Sequence, residues 1–181
     1  MALREIREIP DPILRERCRP VTKITQKVTQ LLDDMKETLI SKDGIGIAAP
    51  QVGVMRNILI VMLQDTYIEL INPKIIETRG LVIGLEACLS IPDEVGYVRR
   101  PHFIKITGLD REGTEVTYEA TGLLAVALCH EMDHLIGVLF TDRQVEPTPK
   151  EKALLEKAGA VKPTKKGGED EIPEPTILNE V

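Results

Sequence analysis

Residues 122–136 read GLLAVALCHEMDHLI, and this stretch decides the architecture. Leu123, Leu124, Ala127, Leu128 and Leu135 are good helix formers, Thr121 can cap the start, and Gly137 ends the run. LLAVAL precedes His130 and LIGVLF follows His134, so the helix is apolar nearly all round. Such a helix belongs in an interior, not on a surface. That buries His130, Glu131, Asp133 and His134, and buried imidazoles and carboxylates need partners. His130 and His134 stand four apart, on one face, where both rings reach one ion. A metal supplies the missing partner.

Upstream of this helix the chain reads as strands. Candidates are 57–62 (NILIVM), 67–71, 75–77, 81–83, 97–99, 103–107 and 115–119. Asn72-Pro73 is a turn signal, and 110–113 (DREG) suits a hairpin. A first helix over 25–41 places Val28, Leu31, Leu32, Met35 and Leu39 on one face, with Thr25 as cap and Gly44 beyond its end. A third helix over 149–158 follows Thr148. Pro10, Pro12 and Pro20 punctuate an irregular N-terminal arm whose Leu and Ile residues pack on the domain. Strands followed by a buried helix predict an α+β fold, antiparallel or mixed sheets wrapped around the metal-binding helix. Residues 1–160 form one catalytic domain. Residues 161–181, rich in proline, glycine and charge, form an extended or disordered tail.

Composition narrows the function. The 181 residues are 43% hydrophobic and 29% charged, with a net charge of −6. A general affinity for nucleic acid or anionic membrane is not expected of such a chain, although a local basic patch remains open. With no Trp, two Phe and three Tyr, base stacking has little to work with. No apolar run reaches the ~18–20 residues of a membrane span. The N-terminus lacks the apolar core of a secretory signal. Cys18, Cys88 and Cys129 are widely spaced and odd in number, which fits a reducing compartment and predicts a cytoplasmic protein.

Two histidines do not complete a catalytic metal site, which takes three protein ligands and an open position. Cys88, in 84–92 (GLEACLSIP), is one candidate; Glu151 and Glu156, in a charged amphipathic helix, are the others. Cys88 sits among apolar residues before a Ser-x-Pro break, where a strand end meets a pocket, and is preferred. Glu151 and Glu156 fit a solvated face, although a zinc peptidase would place its third ligand there. A closed structural zinc site would need a fourth ligand, from Glu131 or Cys129. Cys129 lies about 100° around the helix from His130, which suits the core. A third segment, 44–53 (GIGIAAPQVG), offers small residues that allow close backbone approach, without the Lys-Ser/Thr of a phosphate loop.

Together these segments resemble peptide deformylase. The family's three signatures, G-x-G-x-A-A-x-Q, E-G-C-L-S and H-E-x-D-H, stand here in order as Gly44–Gln51, Glu86–Ser90 and His130–His134. The resemblance runs from about Arg4 to Glu156. One position departs: Ala87 replaces the motif's glycine, which either strains the backbone, if φ is positive there, or narrows the pocket.

The resemblance implies removal of the formyl group from N-terminal formylmethionine of newly made polypeptides. It implies that Cys88, His130 and His134 hold one divalent metal ion, Fe²⁺ in vivo, with Zn²⁺, Ni²⁺ or Co²⁺ also able to take the site. Glu131 is then the general base, and the Gln51 side-chain amide and Leu89 N–H stabilise the oxyanion. Glu86 pairs with Arg100, and Asp133 hydrogen-bonds near the metal helix. Ile45, Leu123, Val126 and Ala127 are the positions of an apolar methionine pocket, and Ile45-Gly46 can pair with the peptide as an added strand. The implied partner is a formylmethionyl nascent peptide, with transient ribosome association and neither nucleic-acid specificity nor a membrane.

Overall fold

A computed structural model describes residues 2–158 and 175–178. In chain order it contains α1 (Gln26–Ser41), β1 (Gly46–Ala48), β2 (Ile58–Leu63), β3 (Thr66–Arg79), β4 (Leu81–Cys88) and β5 (Ile91–Arg100). There follow β6 (Phe103–Leu109), β7 (Glu115–Thr121), α2 (Gly122–His134), α3 (Pro149–Lys157) and β8 (Thr176–Leu178). Short 3-10 turns lie at Pro12–Arg15, Ala49–Val52 and Phe140–Asp142. The strands form two antiparallel sheets, of order β1-β2-β3-β6-β7 and β5-β4-β8. The fold class is α+β.

α2 packs on β1, β2 and β7 of the larger sheet and touches β5 of the smaller one. The reason for the unbroken apolar run at 57–62 is visible in β2. Leu59 and Val61 join the core around α2, whereas Ile58 and Ile60 join the core around Leu31, Leu32, Met35 and Leu39 of α1. Alternate side chains of one strand thus meet different helices, and neither face of the strand is free to be polar. A third cluster, Leu14, Cys88, Ile91, Val98, Leu139 and Phe140, brings the N-terminal arm over the end of β4.

The structure departs from expectation in several places. Asn72-Pro73 does not turn the chain; β3 runs through it with a bulge between Ile71 and Lys74. Asn72 takes φ 54°, and its side chain accepts from Val21 N at 2.8 Å and donates to Val21 O at 2.8 Å. Pro73 lacks a donor, and a bulge is where a strand can tolerate that. β1 lies within the 44–53 segment, where no strand is expected from the sequence. β4 and β5 are a long hairpin where only short strands are suggested by pattern. Neither Thr25 nor Thr121 makes a side-chain cap, while Thr148 does, accepting from Glu151 N. α2 ends at His134, and Gly137 (φ 74°) turns the chain where a Cβ would lie 2.5 Å from Arg15 O. In the 161–181 segment, Thr176–Leu178 pairs with Leu81–Ile83 of β4; its other residues, apart from Pro175, lie outside those described. Among the described residues no helix is long and apolar enough to cross a membrane.

Candidate metal centre

Cys88 is the last residue of β4, and the register with β5 slips between Ala87 and Cys88. Such a bulge re-aims a side chain. It delivers Cys88 Sγ to 3.2 Å from His134 Nε2. One ligand atom each from Cys88, His130 and His134 lies within 4.8 Å of the others. Bonds of about 2.0–2.3 Å at tetrahedral angles would set such atoms roughly 3.3–3.7 Å apart. The two rings stand edge to face with centroids 5.0 Å apart. His130 Nδ1 is held by Glu86 Oε2 at 2.8 Å, which leaves Nε2 as its free nitrogen.

The electrostatics fit a cation. Burial alone would lower the His130 pKa, but Cys88, Glu86 and Glu131 outweigh it and hold it well above the usual histidine value. Burial, with His130 and Arg100 nearby, drives His134 well below that value. Cys129, by contrast, is buried in the core, where desolvation pushes its thiol up to about 11. Glu151 is bound to Arg99 at 2.7 and 2.8 Å and belongs to the cap of α3, while Glu156 is exposed. Neither joins the Cys-His-His group.

Glu131 is 3% exposed, and its Oε2 has no hydrogen-bond partner among the described residues. Desolvation pushes its carboxyl up to about 7, with Glu86 adding to the rise and His130 and Arg100 opposing it. Gly46 leaves the space that Glu131 fills: a Cβ at Gly46 would meet Glu131 Oε1 at 2.4 Å and Cδ at 2.9 Å. This is a steric requirement that sequence reading did not assign. Gly46→Ala is therefore expected to displace the carboxylate and lower kcat by about 10²-fold with metal content unchanged; steady-state kinetics beside metal analysis checks it.

Gln51 is buried beside the group. Its Oε1 accepts from Ala48 N at 2.8 Å, and its Nε2 faces Cys88 Sγ at 3.6 Å and Ser90 Oγ at 3.2 Å. Ser90 N also donates to Cys88 Sγ at 3.4 Å. Ser90 was visible in the second motif yet carried no role there; the structure makes it the link between Gln51 and Cys88. The Leu89 N–H makes no hydrogen bond among the described residues. Ala87 does not adopt positive φ, and its side chain is exposed, so the backbone-strain reading of this position is wrong. The left-handed residue of this register slip is Asp93, at φ 65° on β5, not Ala87.

Arg100 joins the sheet to the helix. It donates to Glu86 at 2.7 and 2.9 Å and to Asp133 at 2.5 Å. Arg143 adds two bonds to Asp133, at 2.5 and 2.7 Å. Burial opposes ionisation of Glu86, but Arg100 and His130 pull its carboxyl down to about 2. The side chain of Arg143 had no role in the sequence reading. Leu123, Val126 and Ala127 lie one to two turns before His130 on α2, with Val126 buried and Leu123 and Ala127 half-buried. Ile45 and Ala127 also lean on the core around α2. Beyond them, β1 is an edge strand, paired among the described residues with β2 alone.

The family described as Polypeptide deformylase matches residues 3–150, which span all three motifs and every residue of this centre. The chain belongs to the peptide deformylase family. Peptide deformylase of Alkaliphilus metalliredigens (strain QYMF) is 48% identical over 146 residues, 81% of this chain and 99% of that protein. The crystal structure of peptide deformylase from Thermotoga maritima matches with a TM-score of 0.78 at 35% identity, over 81% of this chain and 100% of that one. A class I type b peptide deformylase from Acinetobacter baumannii, with Met-Ala-Ser bound, matches with a TM-score of 0.76 at 31% identity, over 78% of this chain and 98% of that one. This deformylase-family enzyme carries β8 beyond the matched residues.

Proposed function

We propose that this chain is a metal-dependent hydrolase that removes the N-formyl group from the N-terminal formylmethionine of newly made polypeptides and releases formate. The observation that carries the reading is the convergence of Cys88, His130 and His134 beside the buried, unpartnered Glu131 oxygen. Those three side chains would hold a divalent ion, which when bound would lower the pKa of a water and polarise the formyl carbonyl. Fe²⁺ is the proposed resident ion; Zn²⁺, Ni²⁺ and Co²⁺ suit the same thiolate and imidazole donors.

Glu131 Oε2 accepts a proton from the attacking water and returns it to the departing amine. Its burial keeps the carboxylate basic enough for both steps. The Gln51 Nε2 and Leu89 N–H donate to the oxyanion that forms on the formyl oxygen. Ser90 holds the Gln51 amide in place. Glu86 orients His130, and Arg100 and Asp133 tie Glu86 to the helix. Ile45, Leu123, Val126 and Ala127 receive the methionine side chain. The open edge of β1 at Gly46 pairs with the peptide backbone, so side chains after the first are read weakly. The Acinetobacter baumannii relative holds a peptide that begins with methionine, in keeping with this pocket. The setting is the cytoplasm, with transient ribosome association; residues 1–160 are the catalytic unit and 161–181 an appendage.

Formate release from a formyl-Met peptide by Fe²⁺- or Ni²⁺-loaded protein tests the reading. Cys88→Ala is expected to lose both bound metal and formate release. A folded Cys88→Ala protein that kept its metal would end it.

A further inference from the structure

Most arginines of this acidic chain are neutralised. Arg4, Arg15, Arg79, Arg99, Arg100, Arg111 and Arg143 each have a carboxylate within salt-bridge distance. Arg7, Arg17, Arg19 and Arg56 have none among the described residues; Arg17, Arg19 and Arg56 are gathered in one place, and Arg7 lies in a neighbouring groove with Glu5, Glu8 and Asp11. Arg17, Arg19 and Arg56 line an open surface groove of about 370 Å³ in which Glu16 is the one acidic neighbour. Arg7 lies over Gly53 at the margin, 3.2 Å from where a Cβ would stand.

Backbone pairing puts them there. Arg19 and Arg56 face each other across an isolated parallel bridge, secured by Arg19 N to Met55 O at 3.2 Å and Asn57 N to Arg19 O at 2.9 Å. Along the extended arm Cys18 turns inward at 5% exposure while Arg17 and Arg19 alternate outward. Like charges opposed across paired backbone are unfavourable. Arg56 answers that only with a bond to the Met55 carbonyl at 3.3 Å. Among the described residues no ion pair uses this charge.

We propose that Arg17, Arg19 and Arg56, with Arg7 beside them, form a docking surface for the phosphodiester backbone of RNA. Guanidinium forks match phosphate oxygens, and a row of them on extended chain suits a polymer better than a single free anion. No aromatic side chain lines the groove, so bases are neither stacked nor read and the contact is sequence-independent. The choice of RNA rests on the proposed substrate, since newly made polypeptides emerge on an RNA-rich surface. The groove is backed by the turn that carries Gln51, whose carbonyl accepts from Arg7 N at 2.7 Å.

The full chain is titrated against a labelled RNA duplex of about 20 base pairs, by fluorescence anisotropy, from about 50 to about 200 mM salt. Combined Arg17→Gln, Arg19→Gln and Arg56→Gln should reduce the slope of log K against log salt by about three, and Arg17→Gln alone by about one. The same charge change at exposed Lys27, Lys74 and Lys152 should leave the groove's contribution in place. Turnover of a free formyl-Met peptide should be unchanged in the triple variant, while turnover of formylated nascent chains on ribosomes falls. An unaltered salt slope in the triple variant overturns the proposal, as does wild-type protein that binds phosphatidylglycerol vesicles but not the duplex. If wild-type protein binds RNA through these arginines yet releases no formate from the free peptide, the hydrolase reading falls and the surface stands.

Discussion

Glu131→Gln is expected to retain one metal ion per chain and to lose turnover by about 10²–10⁴-fold. The amide has the shape of the carboxylate, so it still fills the space left by Gly46. It cannot accept the proton that the attacking water must shed. Because Glu131 is not a member of the Cys-His-His group, its loss should not empty that group. Metal analysis with kcat at saturating formyl-Met peptide separates this from a ligand role. Near-normal kcat would remove Glu131 from the mechanism, and loss of metal would recast it as a ligand.

The second large effect is expected at Arg100. Arg100→Met should destabilise the protein by about 3–5 kcal/mol, because removing one member of a buried ion cluster leaves charge without compensation. Glu86 and Asp133 are 5% and 7% exposed, and both bind this guanidinium. Asp133 retains Arg143, but Glu86 retains only His130. Metal affinity should fall too, by about 10–100-fold, since Glu86 fixes the His130 ring. Adding Glu86→Gln to Arg100→Met should recover part of the stability. Urea denaturation of the metal-loaded proteins measures both steps, and a neutral Arg100→Met would show that the cluster contributes nothing net.

Much of this was legible because it is local. The helical period around His130 and His134 declares a buried helix and puts both rings on one side. The Asn72-Pro73 signal misled for a local reason as well: its preference for a break was real, but the sheet absorbs it as a bulge inside β3. β1 was missed because three residues carry no readable period and become a strand only against β2. Ser90 was missed because its partner Gln51 lies 39 residues away, and Arg143 because its bonds to Asp133 form only once the chain after α2 folds back on the helix.

The sequence by itself determined the central helix, the spacing of its two imidazoles and the apolar run that must lie between two layers, because each follows from backbone periodicity and hydrophobicity over a few residues. Tertiary structure alone decided that Cys88 meets His134 across 46 positions of sequence. It also set the raised Glu131 pKa and left Arg17, Arg19 and Arg56 together without an ion pair among the described residues, because distance, desolvation and charge pairing exist only once the sheets have closed around α2.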